Sequence, residues 1–226
     1  MRSSPESYGP RRSDACVKLP GFHSAETTFV DTPKGIFTAS GVWFRTREES
    51  LYAYAGPVFD REPLARLFTQ AEVWLRSPMV LALWLLPLLL LVLTPLQAAL
   101  AVLVVYVGWE SLGPSFVSRS VVRVFRVLDV VLLQALYFVL TLSVLAAQDR
   151  FTAVWVGLGG FILLRWGLVR MAAQPVVKRI WATLYAMPVP DQVLRSFIIR
   201  AAMKYRVSLP ELDRIEQEVV ENLKRK

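Results

Sequence analysis

The chain has 226 residues, of which 54% are hydrophobic and only 19% charged, and its mean hydropathy is +0.43. A water-soluble domain of this length carries more charge and spreads its apolar residues periodically; here they are concentrated over residues 78–168, which excludes a single soluble core and leaves room only for small modules at either end. The net charge of +8 is nearly balanced before residue 77 and strongly basic beside the apolar block, a distribution that favours anionic lipid over nucleic acid as a partner.

Residues 1–20 are rich in Ser, Pro and Arg and are expected to be disordered. The single cysteine, Cys16, lies here and permits no disulfide within the chain. Residues 21–60 contain four short β-prone runs, at 27–30, 35–37, 42–45 and 51–54, separated by turn material such as Asp31-Thr32-Pro33-Lys34-Gly35. They predict a small meander of two to four strands, too small to stand alone. Asp60 is a suitable cap for an amphipathic helix over 61–77. Its Leu64, Leu67, Phe68, Ala71, Trp74 and Leu75 fall on one side, and Arg61, Arg66, Glu72 and Arg76 on the other.

The apolar block reads as four transmembrane helices at 78–93, 96–109, 127–147 and 151–168. A single helix from 78 to 109 would be ~48 Å long against a ~30 Å hydrocarbon core, so Thr94-Pro95-Leu96-Gln97 is the expected turn. Arg119, Arg123 and Arg126 mark a basic loop, and Gln148-Asp149-Arg150 a tight polar turn. With four crossings nearly all arginines near the block fall on one side and only Arg150 on the other, as the positive-inside rule asks. The expected protein is therefore an all-α integral membrane protein. It has two hairpins flanked by amphipathic interfacial helices, a small β-containing N-terminal segment, and both termini cytoplasmic. The membrane is the bacterial cytoplasmic membrane, or ER/Golgi in a eukaryotic cell.

Residues 174–226 form a basic, amphipathic helical tail. Val176, Val177, Ile180, Trp181, Leu184 and Tyr185 share a face, Pro188-Val189-Pro190 breaks the chain, and Asp191 caps a further helix. Ser208-Leu209-Pro210-Glu211 is a capping box for a last helix with Leu212, Ile215, Val219 and Leu223 at coiled-coil-like spacing. The stretch 201–215 imitates a helix-turn-helix, but the acids Glu211, Asp213, Glu216 and Glu218 would repel phosphates, so no nucleic acid is expected.

Three groups of residues are candidates for function. Arg119, Arg123, Arg126, Lys178, Arg179, Arg195, Arg200 and Lys204 are positioned for anionic-lipid contact. Asp129, Gln134, Arg165 and Arg170 form an intramembrane polar clasp. Counted from the turn at Asp149, Asp129 is level with Arg170, and Gln134 with Arg165. Ala153, Gly157, Gly160 and Gly167 make a small-residue face for another helix, within this chain or in a second copy. His23, the only histidine, lies in the N-terminal part, so no His-ligated haem or zinc site is built in the membrane block. No metal, cofactor or catalytic triad is expected.

The function these features imply is that of a non-catalytic accessory or scaffold subunit, acting through its cytoplasmic flanks on other membrane subunits or a second copy. A membrane-shaping hairpin protein is the alternative, and in layout, though not in motif, the chain resembles reticulon-type and prenylated-Rab-acceptor-type proteins. A small transporter or channel subunit is a third reading, with Asp129, Gln134 and Arg165 as its lining.

Overall fold

A computed structural model describes residues 29–32, 35–38, 42–46, 51, 55, 58, 61–185, 191–207 and 221. The expectations for residues 1–28, with Cys16 and His23, and for Asp60, Pro188-Val189-Pro190 and the capping box at 208–211 lie outside them. The described residues are mostly helical, with seven α-helices and one three-stranded sheet. Two compact units result, Met1–Thr69 with Pro188–Lys226, and Gln70–Met187.

In the first unit β1 (Phe29–Thr32), β2 (Gly35–Thr38) and β3 (Trp43–Phe44) form an antiparallel meander. Thr32 pairs with Gly35 and Ile36 with Phe44. Side chains alternate as a half-buried strand requires: Ile36, Thr38 and Phe44 are buried, Phe37 and Trp43 exposed. Gly35 has φ +151°, and a Cβ there would run into the Phe44 carbonyl and the Trp43 indole, so only glycine fits. The fourth β-prone run is not a strand at its start, because Leu51 is helical and buried.

The sheet's inner face meets the start of α1 (Leu64–Val92), with the Phe44 and Phe68 rings 5.1 Å apart. A C-terminal helix, numbered α7 (Gln192–Lys204), belongs to the same unit. The Asp191 carboxylate caps it by accepting from the Val193 and Leu194 N–H groups at 3.0 and 3.5 Å. It buries Leu194, Phe197, Ile198 and Ala201 and exposes Arg200 and Lys204. Two bonds tie the residues just before α1 to the residue that follows α7. Arg61 donates to the Tyr205 carbonyl at 2.9 Å, and the Tyr205 hydroxyl donates at 2.9 Å to Glu62. The Glu62 carboxylate is fully buried and also pairs with Arg66 at 3.2 Å. Tyr205→Phe is expected to cost about 1–2 kcal/mol, because it leaves a buried carboxylate short of a donor. The readout is faster tryptic cleavage at Arg200, Lys204 and Arg206; unchanged cleavage would refute it.

α1 joins the two stretches read separately as an amphipathic helix and a first apolar helix. It runs 29 residues without a break, past Pro78 and Pro87. Its first bond runs from the Leu67 N–H to the Pro63 carbonyl at 3.2 Å, so Glu62 lies outside the helix instead of in its first turn. α2 (Pro95–Leu112) follows a complete capping box. Thr94 accepts from the Gln97 N–H at 3.4 Å, and the Gln97 side chain accepts from the Thr94 N–H at 3.2 Å, with Pro95 in the first helical position. A 3-10 turn at Gly113–Phe116 leads to α3 (Arg119–Leu128), capped by Ser118. The arginines expected on a loop are therefore helical. Their spacing of three and four puts them on the flank of a face that buries Val122 and Phe125.

α4 (Val131–Ala147) and α5 (Phe151–Arg165) are joined by the turn at Gln148-Asp149-Arg150, where Asp149 adopts φ +55°. Two breaks depart from the expected boundaries. At Asp129-Val130 the chain bends by 61°, so α4 starts at Val131 and not at 127. At Trp166-Gly167 it bends by 67°, where Gly167 takes φ +75° and α6 (Leu168–Tyr185) begins earlier than the tail expected from 174.

Leu83, Leu86, Leu90, Ala98, Phe138 and Leu145 lie in one buried cluster that draws on α1, α2, α4, α5 and α6. The Phe138 and Phe161 rings meet edge-on at 4.6 Å. α1 and α2 are each long and apolar enough to cross a membrane, and up to four spans result if each bent pair counts as one. The surface of this unit is apolar to an extent that soluble monomers avoid: Val92, Leu96, Val104, Leu132, Trp155 and Trp166 are each at least 70% exposed.

Candidate functional site

The polar groups of the second unit gather where the helices break. Asp129, the residue that closes α3, has one carboxylate oxygen 3.8 Å from Arg76 on α1 and the other 3.6 Å from Arg165 at the end of α5. Arg170, in the first turn of α6, reaches Glu110 on α2 at 3.8 Å. The two pairs adjoin through their neighbours in the chain, because the Trp109 indole donates to the Ser77 hydroxyl at 2.8 Å. Trp74, Trp109 and Phe125 pack beside them with ring centres 5.6 to 6.0 Å apart. The Trp181 indole also donates to the Glu110 carbonyl, at 3.1 Å, so Glu110 holds α6 at two points.

The clasp residues are thus partnered differently from the expectation. Arg170 pairs with Glu110 and not with Asp129. Gln134 does not meet Arg165; its amide donates to the Leu128 carbonyl at 2.8 Å. The Trp84 indole donates to the same carbonyl at 3.1 Å. The break after α3 frees that carbonyl from helical bonding, and two side chains from other turns satisfy it. Tyr137 stacks on Trp84 at 4.5 Å and donates to the Trp84 carbonyl at 3.1 Å, within the turn that Pro87 disturbs by lacking an N–H.

Glu110 was missed because helix two was expected to end at Trp109, before this acid. Arg150 was read only as the lone cation on the far side. Its guanidinium donates to the carbonyls of Leu91 and Leu93 at 2.8 Å each, so it caps the C-terminus of α1 and joins it to the turn between α4 and α5. The signal for this was present: α1 ends in apolar residues with no glycine or base to satisfy its last carbonyls.

The small-residue face splits into two roles. Ala153 is buried, a Cβ on Gly157 would come within 2.7 Å of Leu142 and 3.4 Å of Leu90, and one on Gly160 would meet Leu86. Gly167 has open space around it and serves the break instead. Gly157→Val is expected to cost about 1–3 kcal/mol by overpacking, whereas Gly157→Ala costs under about 1 because the end of Leu142 can turn away. Gly159→Val, with nothing within 4 Å, is the neutral control, and equal thermal shifts for Gly157→Val and Gly159→Val would refute the packing argument.

Of the residues expected to contact anionic lipid, Arg123 and Arg126 on α3, Lys178 and Arg179 on α6, and Arg200 and Lys204 on α7 are exposed. Arg119 and Arg195 are half-buried. The Lys204 ammonium lies 4.7 Å from the centre of the Tyr205 ring. Among the described residues no group of three or more His, Cys, Asp or Glu is arranged to hold a metal ion. The charged layer works as a cross-brace: it fastens α1, α2 and both broken helices where each leaves its apolar stretch. Comparison with family models, with curated proteins and with solved structures finds no match.

Proposed function

We propose that the chain is an integral membrane protein whose α1, α2, α3–α4 and α5–α6 cross the bilayer as two hairpins, and that it acts as a non-catalytic scaffold or accessory subunit of a membrane assembly. The observation that carries this reading is the tie between Arg61, Glu62 and Tyr205. It joins the chain before the first proposed crossing to the chain after the last, which supports an even number of crossings with both flanks on one side of the membrane. The exposed apolar surface supplies the lipid contact. The arginines and lysines of α3, α6 and α7 supply contacts to anionic headgroups. The membrane part is then a rigid platform, and one small unit sewn from both flanks is what it presents to other subunits.

The test has two parts. Cysteines introduced singly at Phe37 and Met203, in a Cys16→Ser background, should react with a membrane-impermeant maleimide from the same side in oriented vesicles. Labelling from opposite sides would refute the topology. Purification of the tagged full chain in mild detergent should yield a complex of fixed stoichiometry; a chain that runs alone counts against the scaffold role.

A membrane-shaping role is the second reading, and the helix breaks favour it. They leave α4 and α5 with 17 and 15 residues. Helices of that length span ~25 and ~22 Å, short of a ~30 Å hydrocarbon core. Reconstitution should then convert liposomes to tubules or small vesicles, and vesicles of unchanged size would reject it.

A further inference from the structure

The outer face of the β-sheet carries chemistry that a scaffold role does not require. Phe37 and Trp43 lie opposite one another on β2 and β3, stack with ring centres 6.2 Å apart, and are 43% and 38% exposed. The Arg45 guanidinium lies 5.7 Å from the centre of the Trp43 ring. Indole and guanidinium together suit a boundary that is apolar on one side and anionic on the other. An indole has an apolar body with a polar N–H, the combination enriched at bilayer interfaces, and a guanidinium presents a planar fork that matches phosphate.

The sheet's opposite face packs through Phe44 on Phe68, in the first turns of α1, the helix proposed above to enter the bilayer. The same unit exposes Arg200, Lys204 and Arg206, which adds positive potential. We propose that the Phe37–Trp43–Arg45 face docks on the anionic phospholipid surface of the bilayer that α1 enters. The inference rests on the membrane reading above and adds a partner for the sheet. A protein partner would be met equally well by the two rings; the cation stacked on one of them favours phosphate-bearing headgroups.

The test uses the full chain with Cys16→Ser and Phe37→Cys, labelled at position 37 with an environment-sensitive fluorophore, in nanodiscs of phosphatidylcholine with and without phosphatidylglycerol. A lipid spin-labelled at the headgroup should quench the label. Aqueous iodide should quench it ~3-fold less than in detergent, and the shielding should weaken without the anionic lipid or with Arg45→Glu. Iodide quenching equal to that in detergent would overturn the proposal. So would shielding from both quenchers, which would mean a protein covers the face. Because the label replaces one ring, Trp43→Phe is compared with the unaltered chain; it should remove part of the tryptophan emission quenched by headgroup-brominated lipid, and no change overturns the proposal. A label at Leu132→Cys, quenched by a spin label deep in the acyl chain, reports the membrane reading itself. Quenching there without quenching at 37 rejects docking alone, and absence of both rejects docking together with its premise.

Discussion

An Arg150→Ala variant is expected to lose about 2–4 kcal/mol of stability, because it removes two charge-assisted hydrogen bonds and leaves two helix-terminal carbonyls without donors. The Leu91 and Leu93 carbonyls end α1, and Arg150 comes from the turn between α4 and α5. The bonds therefore do two things at once: they finish one helix and hold its end against the turn between α4 and α5. Arg150→Lys keeps the charge but offers a single ammonium in place of a planar fork, so it should recover only part of the loss. The measurement is thermal or denaturant unfolding in detergent, followed by tryptophan fluorescence. If alanine shifts stability by less than about 0.5 kcal/mol, water or lipid is satisfying those carbonyls and this contact carries little.

Asp129→Asn should cost about 1–3 kcal/mol. Asparagine keeps the size of the side chain but leaves Arg76 and Arg165 facing one another's charge without a carboxylate between them. Both arginines are about a third exposed and both distances are long, 3.8 and 3.6 Å, so solvent screening holds the effect below that of a fully buried pair. The informative measurement is a double-mutant cycle with Arg165→Gln. If uncompensated positive charge is the cause, Arg165→Gln should be less harmful in the Asp129→Asn background than alone. Strict additivity would instead assign the loss to the local break at Asp129-Val130. On the scaffold reading the folded fraction of either variant still associates with its partners.

Much of the architecture was legible because it rests on local rules. Thr94 and Gln97 are three apart with Pro95 between them, and that spacing alone signals a helix start. Gln148-Asp149-Arg150 is polar material between apolar runs. Two local readings went wrong for physical reasons. Arg119, Arg123 and Arg126 were read as loop because they interrupt the apolar block. Their three- and four-residue spacing with Val122 and Phe125 is helical, and their charge only marks where that helix leaves the core. The second apolar helix was expected to stop at Trp109, yet α2 runs on to Leu112, and that early stop concealed Glu110.

The pairing of Asp129 went wrong because its register was counted along two straight helices. Both helices bend by more than 60°, and the partner moves five residues, from Arg170 to Arg165. The small residues at 153, 157, 160 and 167 were recognisable by spacing, but spacing could not separate Gly157, where a Cβ would meet Leu142, from Gly167, which makes the break. Contacts between residues far apart in the chain were not legible at all. Arg150 and Leu91 are 59 positions apart, and Glu62 and Tyr205 are 143 apart.

That last separation has a consequence for biogenesis. Glu62 is made early, before any of the apolar helices, and its hydroxyl donor is made after all of them. If the apolar helices insert as proposed, the early strands and the start of α1 wait during synthesis with a carboxylate that lacks its final burial. On that reading a helix inserted the wrong way would deliver Tyr205 to the wrong side, and the small unit would stay open. Closure of that unit would then follow correct insertion, and an open unit would mark failed molecules for proteases.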